Sequence, residues 1–410
     1  MKFYSKISAA AVCLGLASVG FAQNAPAAQT GDTTAATPAA TPPPGPMPLP
    51  TPSIMGPLSG LPPAMFDAGP FGKIAVNGII SGLGYAQTNT VPGDSDHNAT
   101  ISNGMAFIQK TDGWFQFYIQ AGAYSFPSLA TPFLPADKTM TDFFGPVPIG
   151  FLKLQAGKNT SFEIGSLPTL IGAEYGFSFE NMNIERGLLW NQEPIVSKGI
   201  QVNQTMGKFT ASASWNDGFY SNRYTWASGS LAYVNGPHTL TFVAGGNFGK
   251  TKFQTLATPV LNNSTIYNVI YMYSKGPWMV MPYYQYTNVP RNDSLGIPKS
   301  TSTNGGAILL SHAFKKGFSL AGRWEYLGQS GNLGDVSQNL LFGPGSRAMS
   351  VTVTPTFQYG GFFARGDLAF VHAMDRTPGA VFGSNGLNDS QFRAAGEIGF
   401  IFGNNIEKKP

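Results

Sequence analysis

The chain has 410 residues, of which only 11% are Asp, Glu, Lys or Arg, while Gly numbers 50 and aromatics reach 13%. An average soluble domain is roughly 25% charged, so a string of soluble domains fits poorly, and a formal net charge of +4 without any Lys/Arg block leaves nothing to track the phosphates of a nucleic acid. Hydropathy is near neutral, and past the N-terminus there is no apolar run of about 20 residues, which excludes a bundle of membrane helices.

Taken in chain order, Lys2 and Lys6 precede an apolar run from Ile7 to Val19, and Gly20-Phe21-Ala22 ends in a small residue. This predicts a signal peptide over residues 1–22. The single cysteine, Cys13, lies inside it, and Ala10-Ala11-Val12 lacks the leucine that a lipoprotein processing site would carry. Cleavage after Ala22 removes two lysines, lowers the net charge to +2, and leaves no disulfide, no thiolate nucleophile and no Cys-type zinc site. Residues 23–70 are rich in Ala, Pro and Thr, with Asp32 and Asp67 as their only charges. Such a segment cannot build a core and is expected to be a disordered, partly polyproline-like leader, acting as a spacer, a plug or a cell-wall anchor.

From Phe71 the chain breaks into segments of about ten residues with apolar and polar side chains in alternation, the period of a β-strand. In Gln391–Phe402, Phe392, Ile398, Phe400 and Phe402 oppose Gln391, Arg393 and Glu397. Phe318–Leu327 sets Leu320 and Trp324 against Arg323 and Glu325, and Phe362–Phe370 sets Leu368 and Phe370 against Arg365 and Asp367. Short turn sequences such as Asp112-Gly113, Met206-Gly207, Asn235-Gly236, Lys275-Gly276, Lys316-Gly317 and Gly360-Gly361 alternate with long segments at 125–148, 167–196, 256–264, 287–304, 329–347 and 374–390. Short turns at one end and long loops at the other predict an all-β fold: a transmembrane antiparallel up-and-down barrel over residues 71–403, of about 16 strands within a range of 12–18, followed by a tail at 404–410. A soluble propeller or sandwich would alternate in the same way. The signal peptide, the turn/loop asymmetry and aromatic strand ends such as Trp278, Tyr283, Tyr284 and Tyr286, suited to an interfacial belt, favour lipid.

A barrel of that size leaves a lumen, and its inward side chains define the wall. The wall candidates are Lys153, Gln155, Arg323, Glu325, Arg365, Asp367, Arg393 and Glu397, with opposite charges two or four residues apart on one face; the plainer reading is mutual ion pairing. The segment 167–196 carries Glu174, Glu180, Glu185 and Glu193 against the single cation Arg186, along with Tyr175, Phe177, Phe179 and Trp190. Folded into the lumen it would form a constriction with a mild cation preference; outside, it would be an ordinary loop with solvated acids.

The stretch Gly165-Ser166-Leu167-Pro168-Thr169-Leu170-Ile171-Gly172-Ala173-Glu174, followed by Glu193-Pro194 and Gly199, resembles the OmpL-like β-barrel porins of bacterial outer membranes. The resemblance implies a passive outer-membrane pore for small hydrophilic solutes or ions, seated in outer-membrane lipid, with no cofactor and a homo-trimer as the common assembly. One departure is that Phe400 and Phe402 are followed by Gly403–Pro410 instead of ending the chain.

Other functions find less support. A barrel lipid hydrolase needs Ser and His together, yet only His97, His238, His312 and His372 exist, and Ser311 and His312 project to opposite faces of one strand. The same four scattered histidines are not at metal-ligand spacing. An adhesion barrel without an open channel would use the long loops, whose Gly/Asn/Ser composition is that of any loop. The leader is too short and polar to be the plug of a 22-stranded transporter.

Overall fold

The computed structural model describes residues 57–250 and 259–404. The signal peptide with Cys13, the leader up to residue 56, residues 256–258 of one long segment and residues 405–410 of the tail lie outside the described residues.

Seventeen strands follow one another: β1 Ala64–Asp67, β2 Lys73–Gln87, β3 His97–Lys110, β4 Phe115–Tyr124, β5 Ile149–Gln155 and β6 Thr160–Pro168. Then come β7 Val196–Met206, β8 Phe209–Asn216, β9 Trp226–Asn235, β10 His238–Asn247, β11 Thr265–Lys275 and β12 Trp278–Val289. The series ends with β13 Thr301–Ala313, β14 Phe318–Gln329, β15 Arg347–Tyr359, β16 Phe362–Met374 and β17 Ser390–Phe402. From β2 each strand pairs antiparallel with the next, and β17 pairs back onto β2 from Arg393↔Gln87 to Phe402↔Gly78. Sixteen strands thus close a barrel with no free edge, as hydrocarbon requires of backbone that must satisfy itself.

Alternation has its expected sense. Along β14, Phe318, Leu320 and Trp324 are exposed on the outer wall, whereas Arg323 and Glu325 on the inner face are 2% and 0% exposed. Trp278 and Tyr284 lie exposed as belt residues do, but Tyr283, expected with them, is odd-numbered on β12 and points inward, buried beside Met281 and Gln285. Tyr283 and Tyr284 are adjacent in one strand and therefore cannot share a face.

Two expectations of extent are corrected. The sequence predicts a disordered leader up to Pro70, yet β1 pairs with the first residues of β2, from Ala64↔Val76 to Asp67↔Lys73. Four residues are too short to display alternation, and their order comes from an edge that the rest of the chain provides. The connections are also more numerous than the turn and loop sequences predict, with a further short turn at 156–159 and further loops at 88–96 and 217–225.

Two glycines mark the wall below the loops that turn inward. Gly122 on β4 and Gly165 on β6 have φ of 145° and 144°. A Cβ there would stand 2.0 Å from the Gly104 carbonyl oxygen and 2.3 Å from that of Gly150, so only glycine meets both the conformation and the approach.

Candidate functional site: an inward loop pinned to the barrel wall

The connection between β6 and β7, residues 169–195, lies inside the barrel. Its composition explains why. Leu170, Ile171, Phe177, Phe179, Ile184, Leu188, Leu189 and Trp190 are each buried to within a few per cent, a load of apolar surface that water would not hold in an exposed loop. Ile171, Leu188 and Leu189 join an aliphatic cluster with the inward Ile270, Met281 and Leu309 of β11, β12 and β13. Phe177, Phe179 and Trp190 join an aromatic one with Phe107, Tyr118, Tyr124 and Phe151 of β3, β4 and β5. Ring centroids stand 5.6 Å apart for Phe107 and Phe179 and 5.4 Å for Tyr124 and Phe177. The loop therefore bridges the lumen between two dry patches. The connection 125–148 supports it: the Leu129 amide donates to the Arg186 carbonyl, and the Arg186 amide donates to that of Pro127, both at 3.0 Å.

A third side is held by charge. Arg365 donates to the carbonyl oxygens of Ser178, Asn181 and Met182, each at 2.9 Å. Arg323 reaches Glu174 at 2.6 Å and the Glu185 carbonyl at 2.6 Å. Arg393 pairs with Glu185 at 2.5 Å and donates to Ser128. From the acids of the wall, Glu325 accepts the amides of Leu188 and Leu189, Asp367 accepts that of Glu185, and Glu397 accepts the Ser178 hydroxyl at 2.7 Å. Charge-assisted bonds of this kind are the strong ones, and here they fix carbonyls and amides that a buried loop would otherwise leave unmet.

The structure brings together eleven of the sequence candidates: Glu174, Glu180, Glu185, Arg186 and Glu193 on the loop, and Arg323, Glu325, Arg365, Asp367, Arg393 and Glu397 on the wall. Lys153 stands apart on β5, facing Glu163 of β6 at 3.9 Å. Gln155 is spent at the turn end, donating to Gly157 and Thr160. On-strand ion pairing, the plainer expectation, occurs for Arg323 and Glu325 at 3.3 Å. Elsewhere the partners are across strands or on the loop: Arg365 lies opposite Glu397 in register at 3.5 Å, and Asp367 accepts the Thr354 hydroxyl. Ser81, Ser102 and Asn103, which surround Glu397, and Asn268, Gln285 and Thr303, which hold the loop from β11, β12 and β13, were missed. Their inward parity was the available signal, but they carry no charge to draw the eye.

The four loop carboxylates differ in environment. Glu174 and Glu185 have guanidinium partners, whereas Glu180, among the described residues, accepts the Phe177 amide alone, at 3.3 Å. Burial pushes the Glu180 carboxyl up to about 8. Glu193, packed where a Cβ on Gly172 would overlap it, has neither oxygen hydrogen-bonded among the described residues, and burial raises it well above the usual carboxylate range.

A closed sixteen-stranded barrel with a charged loop folded inside is the architecture of an outer-membrane porin. The chain belongs to the family described as "Putative beta-barrel porin-2, OmpL-like", whose profile matches residues 73–402, and its place is the bacterial outer membrane. Among solved structures it is similar to OmpT of Vibrio cholerae, at 12% identity over 83% of this chain and 100% of that one with a TM-score of 0.57. It is likewise similar to the outer membrane channel DcaP of Acinetobacter baumannii, at 9% identity over 84% and 100% with a TM-score of 0.54. Salmonella typhi OmpF in complex with daunomycin matches at 11% identity over 80% and 98%, with a TM-score of 0.51. At such identities the likeness is one of fold. No curated protein matches the chain by sequence.

Proposed function

We propose that the protein is a passive diffusion channel for small hydrophilic solutes and ions, not an enzyme, with the loop 169–195 as its constriction. The observation that carries this reading is that the loop crosses the lumen and is held from three sides, so whatever passes must pass beside it. Of the seven carboxylates Glu174, Glu180, Glu185, Glu193, Glu325, Asp367 and Glu397, burial favours the protonated form of Glu180 and Glu193; the other five face four guanidiniums, Arg186, Arg323, Arg365 and Arg393, and that small excess supports a mild cation preference. A homo-trimer is the assembly we expect; a structure of OmpT described as a trimer form supports it by analogy of fold.

The test is single-channel recording of the folded protein in a planar bilayer under a salt gradient. Stable steps with a cation-leaning reversal potential are expected, and Glu185→Gln should reduce that lean. An unchanged reversal potential would place the conducting route away from the loop. One observation favours a second reading, a barrel that stays shut: Arg323, Arg365 and Arg393 are each at most 4% exposed with their charges already matched. Folded, heat-modifiable protein that passes no current would select it.

A further inference from the structure

The residues ahead of β2 form a strap across the turn end of the barrel. Read backwards from β2, Asp67 to Ala64 pair with that strand, and the Pro62 carbonyl accepts the Asn404 amide at 2.6 Å, just past β17. Ser59 is clasped by Gln358 at the end of β15: its amide donates to Gln358 Oε1 at 2.8 Å, and Gln358 Nε2 donates back to its carbonyl at 2.8 Å. The fit at β17 is close, since a Cβ on Gly403 would lie 2.7 Å from the Leu61 Cβ. Exposure then falls abruptly. Gly60 and Ser59 are exposed, but Leu58 is 3% exposed and belongs to the buried cluster that includes the inward Ile79, Phe107, Phe363 and Ile401 of β2, β3, β16 and β17. The chain thus comes out of the lumen before it reaches the rim.

We propose that the turn-end mouth of the lumen is the docking surface for this chain's own leader, the residues ahead of Pro57, with Leu58 as its anchor. The place where the described chain begins carries the argument: Pro57 is its first residue, directly before Leu58, which is buried in the mouth. Composition agrees. Between residues 23 and 56 the one charge is Asp32, so entry exposes almost no charge to desolvation, and each proline removes a backbone donor that would need a partner. Reach is no obstacle: a Pro-rich chain extends at about 3.1 Å per residue, so even a third of this leader covers a span of about 30 Å. The consequence for transport, a mouth narrowed from the turn side, rests on the diffusion-channel reading above.

The experiment compares the chain starting at Gln23, the chain starting at Pro57, and the chain starting at Gln23 with Leu58→Asp, each folded in detergent and checked for heat-modifiable mobility. Ser53→Cys, introduced into the first and third, is labelled with N-ethylmaleimide or with a maleimide carried on a long polyethylene glycol. Docking predicts reaction with the small reagent and protection from the large one, with protection lost on adding Leu58→Asp. Equal rates with the large reagent in folded and urea-unfolded protein would overturn the proposal. In bilayers the chain starting at Pro57 should show the larger unitary conductance, and identical conductances would overturn occupancy of the mouth. If neither chain conducts, the channel reading falls while the labelling still decides the docking.

Discussion

Arg365 holds more of the inward loop than any other single side chain described above, since it satisfies three loop carbonyls and faces Glu397 across the ladder. Arg365→Met should therefore cost about 3–5 kcal/mol, the usual loss when one partner of a buried pair leaves the other charge stranded. Denaturant unfolding would measure it, and limited proteolysis should find new cleavage within 169–195. Glu180 adds a pH dependence. Folded, its carboxyl keeps its proton up to about 8, whereas an unperturbed Glu has released it by about 4.5. The folded chain binds the extra proton in that window, so stability falls as pH rises from about 4.5 to about 8. Thermal unfolding followed across that range should flatten in Glu180→Gln. At this scale the sequence displayed which side chains face inward, because charges at even spacing share a face. It did not display their partners, because Arg365 meets Ser178 and Glu397 through contacts far apart in the chain.

Glycine governs the strands that lead into the inward connections. Gly165→Val should prevent heat-modifiable folding or lower yield sharply, because φ of 144° and the Gly150 carbonyl both oppose a branched side chain. Gly207→Ala, in an open turn at φ of 60°, should be mild by comparison; parallel refolding yields would show the contrast. Hairpin turns were legible because Gly and Asn announce them. The loop 217–225 was not, for with Phe219, Tyr220 and Tyr224 its composition does not announce a loop. It is shaped instead by Asp217, which accepts the amides of Lys198 and Asn222, and by Tyr220 and Asn222 at positive φ. Such local bonds compete with a ladder without altering composition.

The whole molecule is dry on two surfaces, the band that meets lipid and the patches within the lumen where the loop packs. A charge set into the outer band, Leu368→Arg near the middle of β16, should cost about 2–4 kcal/mol in refolding into lipid vesicles. Strand number and closure were legible from the rhythm of turns and loops; the inner packing was not, since alternation says which side chains point inward but not what fills the space there. Closure also imposes an order in time. The first strand of the ring to leave the ribosome, β2, is also the one whose second neighbour, β17, is made last. A chain interrupted anywhere before residue 393 keeps two raw edges, and the damage of a missing C-terminus falls on residues 78–87, more than three hundred positions upstream. Until synthesis is finished, β2 must be kept out of bare hydrocarbon by something other than this protein.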